Sequence, residues 1–126
     1  MALETKELFS SVTQNPKERV EAVTVAPKTI DGGQGTIAPL TPMVYAATGW
    51  TVWQDADANT LHGFMWPDQH VAHATDESIA NILIRGKIHY DDVVLPASQT
   101  QATLDTALQT TCRDLGIDVQ GLVNVR

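Results

Sequence analysis

The sequence predicts a mainly β domain with peripheral helices, an α+β chain with one helix near its C-terminus. Three observations carry that reading. Ile82, Ile84, Ile88 and Tyr90 recur at one parity within a long β-forming run from Ile79 to Leu95, as side chains on one face of a pleated strand do. Short apolar runs elsewhere are cut off by proline or glycine, which favours brief strands over helices. Leu104, Leu108, Thr111 and Leu115 are spaced three or four apart, so they line one side of a single helix.

At 126 residues the chain has the length of one domain with a modest core. Residues 1–35 read as a flexible N-terminal arm, and 36–126 as the body. In the arm, Leu8 and Val12 suit a short helix that Asn15-Pro16 breaks. Val23-Thr24-Val25-Ala26-Pro27 is a β-forming patch without the apolar mass to bury it, and Asp31 to Gly35 reads as a flexible turn. From Thr36 the prolines at 39 and 42 impose extended backbone and exclude a central strand. Met43–Tyr45 and Trp50–Trp53 follow as strands about a Thr48-Gly49 turn, then a polar loop over 55–60 and an apolar run over 61–66. Gly86 interrupts the long strand, where a bulge or sharp bend is expected, and Pro96 ends it. Ser98 or Thr100 caps the helix, Gly116 stops it, and the tail from Ile117 reads as a last short strand.

Composition narrows the function. The apolar fraction is 43% and the charged fraction 18%, as in a folded globular chain. Eight basic residues against fifteen acidic give a net charge of −7, which argues against nucleic acid as the main partner. The single cysteine, Cys112, forms no disulfide within the chain. No apolar run reaches the ~20 residues that cross a bilayer, and the acidic start does not resemble a signal peptide. A soluble protein made in a reducing cytoplasm, with no membrane partner, is therefore expected.

The catalytic and metal templates fail one by one. Asp55-Ala56-Asp57-Ala58-Asn59 copies the opening of a calcium loop, but Thr60 and Trp66 stand where that loop needs glycine and a bidentate glutamate. His70 and His73, near Asp68 and Asp76, match no standard zinc spacing; His62 and His89 are isolated. Cys112 has no local base to make it a nucleophile. Asp91 and Asp92 adjoin on an expected strand, so their carboxylates point apart. Trp50, Trp53 and Trp66 read as core or interface anchors. The expectation is a binding or assembly part with no catalytic residues, cofactor or metal. The alternative is a small metal-binding β-barrel enzyme in which His62, His70, His73 and Asp68 converge.

Two stretches carry a resemblance. Ala38-Pro39-Leu40-Thr41-Pro42-Met43, followed by Trp50-x-x-Trp53-x-Asp55, and the run Gly86-Lys87-Ile88-His89-Tyr90-Asp91-Asp92-Val93-Val94-Leu95-Pro96 together resemble lambda-type tailed-phage head decoration proteins. Leu61-His62-Gly63-Phe64-Met65 sits where that family has an apolar strand around glycine. The likeness covers about residues 22–97. A longer N-terminal segment, a more plainly written C-terminal helix and Leu95 before the closing proline depart from the family pattern.

The resemblance implies a bent β-ribbon, β-clip-like single domain that forms a homotrimer. Such trimers cap three-fold sites on the outer surface of the expanded bacteriophage head, against the pressure of packaged DNA. The partner is the major capsid protein, and the place is the virion after synthesis in the bacterial host cytoplasm. On this view Val23, Thr24, Val25, Ala26 and Pro27 form a capsid-binding arm, partly disordered until a capsid subunit supplies the neighbouring strand. Pro39, Leu40, Thr41, Pro42 and Trp50, rigid and apolar, are expected at the trimer contact.

Overall fold

The computed structural model of the chain describes residues 20–46, 48–54 and 60–121. The helix expected before Asn15, the 55–59 acidic loop and the tail beyond Gly121 lie outside the described residues. Within them the chain is mainly β with one helical segment near the C-terminus. The strands are β1 (Glu21–Ile30), β2 (Thr36–Ile37), β3 (Pro42–Tyr45), β4 (Trp50–Val52), β5 (Gly63–Met65), β6 (His70–Val71), β7 (Ser78–His89) and β8 (Ile117–Gln120).

The pairings β1–β4, β4–β3, β3–β5, β5–β7 and β7–β1 run round a closed circuit of five strands. A parallel β8 extends the far end of β7, and β2 pairs with β6 separately. Circular closure gives alternate residues two different apolar environments. Ile30, Met43, Trp50, Met65 and Ile82 pack together in one cluster. Trp53, Phe64, Trp66, Leu83 and Ile88 form the other, with Leu104, Ala107, Leu108 and Cys112 from the helix.

β1 corrects the expected arm. Val25 pairs with Leu83, Ala26 with Ile82 and Pro27 with Asn81 in an antiparallel ladder to β7. The boundary at residue 35 therefore does not hold: the β-forming patch over 23–27 is a strand of the body, because β7 is long enough to take a neighbour on each side.

Gly86 explains why one parity rule could not describe all of β7. Its φ is +142°, and an added Cβ would sit 2.9 Å from Val23 Cα. Opposite it the β1 register shifts between Glu21 and Val25, and Ala22 takes φ 53°. The bend exchanges the faces, so Ile82 and Ile84 join one cluster while Ile88 and Tyr90 join the other. The strand also ends sooner than expected. His89 gives way to a 3-10 turn over Tyr90–Asp92, so Asp91 and Asp92 lie on a turn rather than a strand.

The helical segment begins with α1 (Gln101–Ala107), widens into a π-helical stretch over Leu108–Cys112 and closes with α2 (Arg113–Leu115). Thr100 Oγ1 accepts from Thr103 N–H at 3.2 Å and caps it. Gly116, at φ +86°, ends it in the left-handed conformation that glycine adopts without penalty. The buried stripe is Leu104, Ala107, Leu108 and Cys112, whereas Thr111 and Leu115 are half-buried. The π stretch has shifted the face past Leu108. Tyr90 Oη donates to Asp105 Oδ1 at 2.6 Å, tying the helix to the end of β7. That bond, then burial, holds the phenol above its ordinary value. Burial pushes the Cys112 thiol up to about 12, so it is a core group rather than a nucleophile.

The turn over 31–35 is pinned, not flexible. Gln34 Nε2 donates to the carbonyls of Asp31 (2.6 Å) and Trp50 (3.2 Å), and Gln34 Oε1 accepts from Val52 N–H (2.6 Å). The side-chain amide occupies the place of a neighbouring strand beside β4. It continues the seam that the Ile30–Trp50 bridge begins.

Candidate docking ribbon and groove

β1 and the first half of β7 form an antiparallel ribbon. On its outer face Val25 and Ile79 stand 39% and 71% exposed, and Val23, beyond the register shift, stands 38% exposed. Among the described residues no strand pairs with the outer edge of Glu21–Thr29.

The ladder fixes which backbone groups face that edge. In an antiparallel pair the N–H and C=O of one residue point to the same side, and successive residues alternate. Asn81 C=O accepts from Trp66 N–H, so the backbone of Asn81 faces β5. Its partner Pro27 therefore turns its backbone away from β7, and so do Val25 and Thr29. The donor that proline lacks falls on the open edge, where it removes no ladder bond.

Where β1 parts from the β3–β4 hairpin, a groove of about 630 Å³ opens, flanked by Lys28, Thr29, Tyr45, Trp50, His62 and Glu77. Tyr45 and Trp50 are register partners across the hairpin, with ring centroids 5.8 Å apart. His62 stands edge-on to Trp50 at 6.2 Å, and its Nδ1 accepts from Tyr45 N–H at 2.8 Å. Lys28 Nζ lies 5.8 Å over the Trp50 ring, within cation–π reach. Thr48 Oγ1 donates to Asp31 Oδ2 at 2.9 Å and holds the hairpin tip against β1. Gly49 is required there, since an added Cβ would meet Asp31 Oδ1 at 2.5 Å and Thr29 O at 3.1 Å.

Most of the residues expected at a trimer contact pack into the chain's own body. Leu40, Thr41, Pro42 and Trp50 are buried in the chain's own body, and Pro39 is half-buried. Thr41 N–H donates to Ala38 O, closing a four-residue turn with Pro39 in second place and Leu40 at φ 64°. Leucine there costs about 1–2 kcal/mol; complete burial of its side chain offsets it. The proline-rich stretch is a core-directed turn, with little side-chain surface left for a partner. Trp53 and Trp66 are likewise core residues.

The histidines do not converge. His62 lies at the groove, His70 Nε2 pairs with Ser78 Oγ at 2.7 Å, and His73 Nδ1 accepts from the N–H groups of Thr75 and Asp76. Among the described residues no three His, Cys, Asp or Glu side chains gather as a metal group. The convergence that the barrel-enzyme alternative needs is thus missing from this part of the chain.

Sequence reasoning assigned no role to Tyr45, Lys28 or Ile79, and weighed His62 only as a metal ligand. The usable signal was the aromatic pair flanking Thr48-Gly49, since a tight hairpin sets such residues side by side. In comparisons with known proteins, no family model matches this chain and no curated protein does. No helix among the described residues is long and apolar enough to cross a membrane.

Proposed function

We propose that the chain is a decoration protein of a tailed-phage head. It acts as a homotrimer over three-fold sites on the outer surface of the expanded shell, with the major capsid protein as partner. The observation that carries this reading is the exposed apolar face of the β1–β7 ribbon at Val25 and Ile79, with Val23 exposed nearby. An apolar ribbon face beside an unpaired strand suits association with another protein surface. The resemblance of Ala38–Met43 and Gly86–Pro96 to decoration proteins supplies the kind of surface. A three-fold particle meets a three-fold junction with three equal contacts, so modest affinities combine into firm attachment. The contact is assigned to the ribbon's outer face rather than to a free arm, because residues 23–27 already pair with β7.

Co-sedimentation with expanded, undecorated heads of its own phage tests the proposal. The chain is expected to pellet with the heads up to a fixed number of sites and to run as three chains beforehand. A monomer that stays in the supernatant overturns it.

A further inference from the structure

The groove beside the β3–β4 hairpin presents polar side chains that the fold leaves unused. Among the described residues the Lys28 ammonium, the Glu77 carboxylate and the Tyr45 hydroxyl make no hydrogen bond or ion pair. His62 Nδ1 accepts from Tyr45 N–H, so the neutral ring carries its proton on Nε2. That N–H donor is unused as well. Tyr45 itself stands 56% exposed at the groove. We propose that the groove binds a neutral pyranose sugar. The sugar's C–H face lies on the Tyr45 ring, and its hydroxyls bond to Lys28, His62 and Glu77.

The mixture of groups selects this ligand. Lys28 opposes a cation and Glu77 an anion, so a charged ligand meets a like charge in either half of the groove. A purely apolar ligand would strip water from these polar groups and return no bonds to them. A pyranose does neither. Each hydroxyl both donates and accepts, matching a groove that holds donors and an acceptor. Its C–H bonds carry slight positive charge, which suits the negative face of an aromatic ring.

The platform is in place before a ligand arrives. Tyr45 is the register partner of Trp50, and the two rings meet at 56°. Trp50 is buried and carries Lys28 over its own ring, so it supports Tyr45 and leaves that ring as the open flat surface. The bond from Thr48 to Asp31 and the close fit of Gly49 against Thr29 hold the hairpin tip on β1. Little ordering is then left to oppose binding. A volume of about 630 Å³ is that of a small-molecule site. Neither Val25 nor Ile79 lines the groove, so the inference stands whether or not the chain decorates a shell.

Amide NMR of the full-length protein tests it. The probes are the methyl glycosides of glucose, galactose, mannose and N-acetylglucosamine at millimolar concentration, with methyl glucuronide as the anionic counterpart. At least one neutral glycoside is expected to shift Tyr45, Trp50 and His62, and glucuronide to bind several-fold more weakly. Tyr45→Ala should weaken the neutral sugar about tenfold, while Tyr45→Trp, which keeps a platform, retains it. Glu77→Gln should narrow the gap between glucuronide and glucoside. Four outcomes overturn the proposal: no shift with any neutral glycoside, shifts only outside the groove, undiminished affinity in Tyr45→Ala, or glucuronide binding as tightly as the neutral sugars.

Discussion

At one end of the molecule, Leu83 and Ile88 of β7 are sealed beneath Leu104, Leu108 and Cys112 of the helical segment. At the other, the same strand carries Ile79 into solvent opposite Thr29 of β1, which is exposed too. β7 is paired at both ends, with β1 and β5 at one and with β8 at the other, so the presence of a ladder does not distinguish them. The difference is the layer on top. Where the helix lies over the sheet, apolar side chains find partners, and each fully buried large one contributes about 1.5–3 kcal/mol. Where no helix lies, the ladder persists but its apolar face is left for another surface. Buried apolar contact is thus greater at the helix-backed end, and exposed apolar surface at the ribbon, where the proposed docking would take place.

Substitutions should separate the ends most sharply in their energetic cost. Phe64→Ala, in the helix-backed cluster, should lower unfolding free energy by about 3–5 kcal/mol in a denaturant titration. Val25→Ala should change it by less than about 0.5 kcal/mol. Comparable losses at both sites would break the distinction.

Gly86 lies between Leu83 and Ile88, at the bend within the helix-backed end. Any side chain there requires an unfavourable φ and collides with the Val23 backbone. Gly86→Ala should cost about 1–3 kcal/mol and splay β1 from β7, seen as faster amide exchange at Thr24 and Ala26, with the β3–β4 hairpin unaffected. A loss spread evenly over the chain would show that the bend does not divide it.

Gln34→Leu is nearly isosteric but leaves the N–H of Val52 without its acceptor. A loss of about 1–3 kcal/mol is expected, with the largest chemical-shift changes at Trp50 and Val52. Gln34→Glu should restore the acceptor but neither donated bond.

The helix-backed end should also be the alkali-sensitive one. Cys112, raised from 9.0 to about 12, and Tyr90, raised by its bond to Asp105, both stay neutral in the fold at pH values where the unfolded chain releases their protons. Their stabilising contributions are whole below the ordinary pKa values and fade as pH rises through the folded ones. Unfolding free energy should therefore fall, for Cys112, between about pH 9 and 12. Cys112→Ala, less stable at neutral pH for want of packing, should show a shallower fall. An identical pH profile would contradict the assignment.

Much of this architecture can be read from the residues alone. The Thr48-Gly49 turn, the cap at Thr100, the stop at Gly116 and the break at Gly86 follow from local rules, because turns, caps and glycine bends depend on near neighbours. What escapes is set by distant partners. Val23 to Pro27 reads as an unsatisfied arm only because nothing local announces that β7 is long enough to pair with it. Pro39 to Pro42 reads as a surface contact because proline suggests rigidity, while its turn into the core depends on Leu40 joining the cluster that holds Trp53 and Phe64. Trp50 is legible as an anchor, but not as one wall of a groove. That wall requires Tyr45 across a hairpin and His62 from the segment just before β5, and neither placement is written in periodicity.

Hydrogen exchange of the chain, free and bound to expanded heads, tests the division of labour most directly. Added protection on binding should be confined to β1 and the Ile79–Asn81 part of β7, with α1 and β8 unchanged. Protection gained at α1 and β8, with none along the ribbon, would contradict the account.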